Sequence, residues 1–247
     1  MTLRTNQRLR HENAGRRTLT VTSKQQLSDA LLAITFACDD WAGFTSAAPD
    51  DHIKIFIPGA PFENGKPAMR DYTPRRFDPK TGEFVIEFAL HEGPGPVTAW
   101  AVAAQIGDTL EIGGPRGSVV IPDDYDWYWL IGDEAALPAI ARRLEEWAAK
   151  PVTSFAAVTG PGDELALARP VNWVHRAAQD AADPAALIDR LGRTAFPAGD
   201  GFVWIAAEAG VTRAIREHIL SRGHSQTQMK ASGYWTLGHA DTTAKFD

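Results

Sequence analysis

The chain has 247 residues, with 25 Lys and Arg against 31 Asp and Glu, a formal net charge of −6 and 44 % hydrophobic residues. This is the composition of a folded globular chain, long enough for one large or two modest domains. The acidic balance argues against sequence-independent nucleic-acid binding, which needs an excess of Lys and Arg. The lone Cys38 excludes an intramolecular disulfide, a Cys-ligated iron–sulfur cluster and a thiolate zinc site.

Arg4, Arg8, Arg10, Arg16 and Arg17 open the chain with no apolar segment behind them, so residues 1–15 read as a flexible, solvated tail and not as a signal peptide. The longest charge-free apolar stretch, Ala30 to Cys38, is far too short to span a membrane, and the expected location is the cytosol. Residues 16–121 have a short, punctuated rhythm. Arg17 to Ser23 alternates, Leu31 to Cys38 is an apolar run, and Asp51 to Ile57 puts Ile53, Ile55 and Ile57 on one face. Glu83 to Leu90 and Asp108 to Ile112 are further strand candidates. Pro58-Gly59, Asn64-Gly65, Lys80-Thr81-Gly82 and Gly113-Gly114-Pro115 are the turn signals between them. Only Val97 to Ala104 reads as a helix. Many short strands with frequent turns predict a small antiparallel barrel.

Past Ile121 to Asp124 the rhythm changes, and residues 122–247 read as a parallel α/β sheet. Asp126 to Ile131, Thr153 to Val158 and Gly201 to Ala206 look like buried strands. Leu137, Ile140, Leu144 and Trp147 form one apolar helical face, with Pro138 in the first turn and Pro151 beyond the end. Asp183-Pro184 and Gly192 frame a short helix. Val211, Ile215 and Ile219 mark the last one, closed by Arg222-Gly223. The predicted fold is thus an N-terminal antiparallel β-barrel followed by a C-terminal α/β domain.

Three segments carry chemistry. In Arg70-Asp71-Tyr72-Thr73-Pro74-Arg75 an Arg can fork two hydrogen bonds to a pyrophosphate, a Tyr ring can pack on a flat cofactor, and a Thr can hydrogen-bond its edge. From His91 to Ala101 a strand end, a Gly/Pro loop and a helix start follow one another, and free amides at such a start favour an anion. From Ile131 to Ile140 a buried strand opens into a helix, the place of a phosphate loop in an α/β sheet. That segment lacks G-x-G-x-x-G, and Asp133 and Glu134 put two negative charges at its mouth. It reads equally as a helix start decorated with acids.

Arg70-x-Tyr72-Thr73 resembles the Arg-x-Tyr-Ser/Thr signature of the ferredoxin-reductase superfamily. Together with Gly114 to Gly117, Trp173 to Arg176, Trp204 to Glu208 and Gly233-Tyr234-Trp235, the three segments resemble, over about residues 16–240, the siderophore-interacting protein family of FAD-dependent ferric-siderophore reductases. The resemblance implies an FAD-binding barrel in which Arg70, Tyr72 and Thr73 hold the flavin. His91 would lie at the strand end, and Gly95, Pro96, Val97 and Thr98 would cradle the phosphates. Gly132, Asp133, Glu134 and Pro138, with Glu208 and Ala209, would line the nicotinamide side, and Trp235 would lie near the flavin's other face. Lys54 and Arg116 would face an anionic ferric siderophore. NAD(P)H is the implied electron donor, with ferredoxin as the other candidate. The chain departs from the family at Thr236-Leu237-Gly238, where Arg commonly follows Gly-Tyr-Trp, and at Ala135, where Thr is usual.

The implied reaction is flavin-mediated reduction of chelated Fe(III), with no acid–base or covalent catalyst. The other readings are an NAD(P)H-dependent flavoprotein serving another acceptor, and a non-catalytic siderophore-binding module. The histidines at 11, 52, 91, 175, 218, 224 and 239 show no metal-ligand spacing. His218 and His224 read as surface residues at a helix end. There is no Gly-x-Ser-x-Gly elbow, and Ser118 and Ser221 lack an identifiable base. Trp127, Trp129, Trp147 and Trp204 read as core, and Trp100 and Trp235 as adjacent to a site.

Overall fold

The computed structural model describes residues 4–56, 62–63, 66–67, 69–91, 93, 95–239 and 244–246. The predicted turns Pro58-Gly59 and Asn64-Gly65, and Ile57, Glu92 and Pro94, lie outside them. The chain divides into two compact units, Met1–Pro122 and Asp123–Asp247.

In chain order the first unit carries β1 (Gln7–Arg10), β2 (Arg16–Ser28), β3 (Leu31–Ala37), β4 (Ile53–Phe56), β5 (Phe62–Glu63), β6 (Lys66–Pro67), β7 (Met69–Tyr72), β8 (Pro74–Asp78), β9 (Glu83–Ala89), α1 (Pro96–Ala103), β10 (Thr109–Gly113) and β11 (Gly117–Val120). Seven of these strands form one antiparallel sheet in the order β7-β4-β10-β2-β3-β9-β8. Its two edge strands are separated in sequence by Thr73 alone, so the sheet curls until its edges come together there, as the predicted barrel requires. Period-two alternation fills the interior. Leu19 and Val21, Ile34 and Phe36, Ile53 and Ile55, and Leu110 and Ile112 face one core with Phe84, Ile86 and Phe88. Helix α1 adds Val97 and Ala101 to that core.

Two expectations for the N-terminus are corrected. Gln7–Arg10, expected in a flexible tail, pairs antiparallel with β11, Arg10 opposite Gly117. Arg17, expected to be solvated, is only 8 % exposed. Its guanidinium donates to the carbonyls of Asp40, Asn13 and Ala42, which satisfies a buried charge with backbone oxygens.

Ser118 also has a neighbour that the sequence does not reveal. Its hydroxyl donates to Asp51 Oδ2 at 2.6 Å and accepts from the Ala47 amide at 3.1 Å, while His11 Nε2 stands 2.8 Å away. Because the hydroxyl proton is committed to the carboxylate, His11 is the donor and not a base, and the buried Ser118 is no nucleophile. The knot ties β11, the 46–51 loop and residue 11 together. Ser118→Ala leaves Asp51 and Ala47 short of a partner, a cost of about 1–3 kcal/mol. The thermal unfolding midpoint of the variant is expected to fall by several degrees, and an unchanged midpoint would show the knot to be energetically idle.

The second unit carries β12 (Trp127–Gly132), α2 (Leu137–Glu146), β13 (Val152–Val158), β14 (Val171–His175), α3 (Ala185–Gly192), β15 (Gly201–Glu208), α4 (Ala209–Ser221), β16 (Met229–Trp235) and β17 (Ala244–Lys245). The sheet order is β14-β13-β12-β15-β16-β17, parallel except for β17. Strands β12 and β15 are buried along their whole length, which matches their continuous apolar runs. Trp127, Trp129, Trp147 and Trp204 are core residues, as expected. Successive strands step outward from β12 to β14 and then resume at β15 on the other side of β12. The carboxyl ends of β12 and β15 therefore flank a topological switch point, the usual ligand crevice of such sheets.

Gly132 ends β12 at that point. A Cβ there would lie 2.5 Å from Ala136 Cβ and 2.7 Å from the Ala206 carbonyl, so only glycine lets the strand, its neighbour and the following turn close together. Gly223, at φ +90°, closes the last helix as expected. Gly192 does not stop α3. It is the last helical residue, and Arg193 follows as C-cap at φ −86°. His218 and His224 are half-buried rather than on the surface. His224 packs 5.6 Å from the Trp127 ring and its Nε2 meets the Gln228 carbonyl at 3.0 Å.

Candidate functional site

In the first unit the seam brings two of the three sequence segments together. Arg70 lies opposite Ile55 and Tyr72 opposite Ile53, both on β7. The Tyr72 ring packs 4.9 Å from Phe88, and its hydroxyl is hydrogen-bonded to the side chain of Thr98 in α1. Burial pushes the Tyr72 phenol up, and it stays neutral. Thr73 and Thr98 are both buried, so the Thr98 side chain serves to hold Tyr72.

Helix α1 starts at Pro96 with Gly95 as N-cap and no side chain capping it. A Cβ built on Gly93 or Gly95 meets nothing within 4 Å, so this loop borders open space. An uncapped helix start beside open space, with an Arg and a Tyr at the adjoining strand edge, fits the pyrophosphate and ring of FAD. His91 is exposed at the end of the β9 segment. Trp100 is half-buried and stacks on Phe36, 6.4 Å between centroids.

Lys54 and Arg116 fall at the same end of the barrel. Lys54 is opposite Gly113 in β10, and Arg116 follows the Gly114-Pro115 turn. Lys54 projects from the strand face opposite Ile53 and Ile55. Its Nζ lies 2.8 Å from Asp71 Oδ1 on β7, so its charge is already partnered. Arg116 is exposed.

The second unit places Asp133, Glu208 and Trp235 together at the switch point. Asp133 is 3 % exposed. Its Oδ1 accepts from the Ala135 amide at 3.0 Å; its Oδ2 accepts from the Glu208 amide at 2.9 Å and from Trp235 Nε1 at 2.8 Å. Glu208 caps α4, accepting from the amides of Gly210 and Val211, and its other oxygen accepts from the Leu237 amide at 3.3 Å. Glu134 lies 2.6 Å from Arg176 Nη2, both nearly buried. The expected pair of free negative charges at the mouth is therefore corrected: both carboxylates turn inward and are consumed by the chain. Pro138 is buried in the first turn of α2, and Ala209 is the half-buried first residue of α4. The link between Asp133 and Trp235 spans 102 residues and has no local sequence signal. Among the described residues no His, Cys, Asp and Glu cluster could hold a metal ion, and no helix is long and apolar enough to cross a membrane.

The description "Siderophore-interacting FAD-binding domain" matches residues 20–65 and 59–119, and "Siderophore-interacting protein" matches 125–238. The NADPH-dependent ferric-chelate reductase of Escherichia coli (strain K12) is 33 % identical over 242 residues, 89 % of this chain and 92 % of the relative. The chain belongs to the siderophore-interacting protein family. A siderophore utilization protein from T. fusca superposes with a TM-score of 0.84 at 32 % identity, covering 98 % of this chain and 99 % of that one. The siderophore-interacting protein SipS from Aeromonas hydrophila superposes with a TM-score of 0.79 at 27 % identity, covering 92 % and 94 %. The family places an FAD-binding domain in the first unit, in agreement with the seam and the uncapped helix.

Glu134 carries a pH signature. Burial and the neighbouring Asp133 carboxylate outweigh Arg176 and push its carboxyl from the usual 4.5 up to about 7. The folded chain thus holds a proton that the unfolded chain has already released, so stability falls as pH rises from about 4.5 to about 7. Glu134→Gln removes that slope. The gap in unfolding midpoint between Glu134→Gln and the unaltered protein should move in the variant's favour by a few degrees from pH 5 to pH 8. A gap that does not change with pH would refute the assignment.

Proposed function

We propose that this chain is an FAD-dependent ferric-siderophore reductase that draws electrons from NAD(P)H. The observation that carries the reading is the hydrogen bond between Tyr72 and Thr98, which joins the barrel seam to an uncapped helix start in a chain of this family. The relative's name, NADPH-dependent ferric-chelate reductase, supports both donor and acceptor.

In this reading Arg70 and the amides of Val97 and Thr98 bind the flavin pyrophosphate. The Tyr72 ring, held by Thr98, packs on the cofactor, and Thr73 bonds its edge. The switch point of the second unit takes the nicotinamide nucleotide. The chemistry FAD supplies when bound is acceptance of a hydride and release of its two electrons singly, one to each of two Fe(III) ions. Iron leaves because oxygen donors hold the harder Fe(III) more tightly than Fe(II). Arg116 and Lys54 attract the chelate, and Asp71 tempers the charge of Lys54. No residue transfers a proton.

A second reading, a flavin reductase for another acceptor, is favoured by one observation: Thr236 stands where a basic residue would meet the chelate.

The test is the visible spectrum of protein loaded with FAD and desalted, followed anaerobically. Retained flavin that bleaches with NADPH or NADH and recolours with a ferric siderophore, releasing Fe(II) to a colorimetric chelator, is the expected result. A colourless protein overturns the reading, and recolouring only with dyes or quinones transfers it to the second reading. Arg70→Ala should lose most of its flavin on desalting; full retention would remove Arg70 from the site. Asp71→Asn frees the Lys54 charge, and KM for an anionic ferric chelate should fall several-fold while flavin content is unchanged. An unaltered KM would detach Lys54 from the substrate.

A further inference from the structure

At the switch point, the Asp133 and Glu208 carboxylates are buried and fully used by the chain itself. Asp133 takes three N–H donors, and Glu208 takes the amides of Gly210, Val211 and Leu237. A buried carboxylate already holding three donors has little capacity left for a ligand. Neither residue is then a good hydrogen-bonding partner for a nucleotide, although both stand where one would be sought.

The third donor to Asp133 is the indole of Trp235, at the end of β16. Its backbone is fixed where β16 meets β15, Trp235 opposite Glu208 past a bulge in the pairing. The next turn is held as well: the Leu237 amide bonds Glu208, Thr236 and His239 form a bridge, and Gly238 at φ +76° reverses the chain. The far end of the side chain is held by the 2.8 Å bond from Nε1 to Asp133 Oδ2. An indole has two rotatable bonds, and a charge-assisted hydrogen bond at its tip selects one setting of both. The acceptor cannot drift, because the Ala135 and Glu208 amides pin the same carboxylate. The residue is half-buried.

We infer that Asp133 is a positioning residue, not a ligand, and that it fixes the Trp235 indole as a flat stacking platform for the nicotinamide ring of the dinucleotide. This rests on the reading that the second unit takes NAD(P)H. Aromatic stacking is tolerant of substituents and sensitive to ring orientation, so the carboxylate acts on nucleotide affinity only through the indole.

The experiment uses the FAD-loaded full chain, with [15N]-indole spectra and nucleotide binding measured beside turnover. Trp235→Phe identifies the Trp235 indole N–H signal by its loss. In the unaltered protein, adding NADP+ should shift that signal. In Asp133→Asn the signal should move upfield and exchange faster with solvent, and Kd for NADP+ and KM for NADPH should rise about 5- to 10-fold with kcat within 2-fold. Trp235→Phe should weaken binding by a similar factor, and the double variant no further, because the two changes interrupt one path. The inference is overturned if Asp133→Asn moves the indole signal yet leaves Kd unchanged, or if its effect persists in the Trp235→Phe background. Should Asp133→Asn fail to fold, Trp235→Phe decides alone: an unchanged Kd overturns the platform and a 5- to 10-fold rise supports it. If the unaltered protein binds neither NADP+ nor NAD+, the reading of the second unit as a nucleotide site falls instead, and with it this inference. If nucleotide binds as expected but no ferric chelate is reduced, only the proposed acceptor falls.

Discussion

A seven-stranded antiparallel sheet whose first and last strands are consecutive in the chain cannot stay open and flat. Tyr72 ends one edge strand and Pro74 begins the other, so Thr73 must turn the corner between them. That closure decides where the first unit can hold a large ligand. Sheet edges are where backbone groups are not yet committed to a neighbour, and the edge strands meet within the Arg-Asp-Tyr-Thr segment. The same closure brings β7 within reach of α1, so that the Tyr72 hydroxyl finds Thr98. Two motifs more than twenty residues apart become one surface because the sheet has to end where it begins.

The second unit depends on a different constraint, the cost of burying charge. Asp133, Glu134 and Arg176 are all removed from water beside the crevice. Taking a carboxylate out of water costs several kcal/mol unless donors replace the lost hydration. Asp133 offsets part of that cost with two amides and an indole, and Glu134 part of it with Arg176, but burial outweighs these donors and pushes both carboxyls above their usual range. The donors that compensate Asp133 come from the turn after β12, the end of β15 and the end of β16. One desolvated oxygen pair therefore registers three strand ends against one another. This is why acids that look like a charged rim in the sequence behave as a joint in the fold.

Much of this was legible beforehand, for reasons that can be named. Period-two alternation marked β2 and β4, continuous apolar runs marked β12, β13 and β15, and the spacing of Leu137, Ile140 and Leu144 marked α2. Those signals are local, because each side chain reports its own face. The candidate flavin residues were legible as a pattern, and the fold does bring Tyr72 to Thr98. The failures share the opposite property. Arg17 looks solvated until the loop carbonyls of Asn13, Asp40 and Ala42 surround it. Ser118 has no identifiable partner in the sequence until β1 pairs with β11 and delivers His11. Asp133 and Trp235 meet only through the strand order. Polar side chains choose partners across the fold, and composition and spacing carry no record of that choice.

The way polar groups are spent also bears on the kind of reaction the chain can support. A hydrolase or isomerase has to keep a base, a nucleophile or an acid poised with a lone pair or proton to give. Here the groups best placed for such work are engaged elsewhere: the Ser118 proton lies on Asp51, the Tyr72 hydroxyl meets Thr98, and the Asp133 and Glu208 oxygens accept from the backbone and an indole. What the two units offer instead is flat aromatic surface, an uncapped helix start and cations at one barrel end. Features of those kinds suit planar rings, phosphates and anionic chelates. Electron transfer through a flavin asks for little else from the protein, since the reacting orbitals belong to the bound groups.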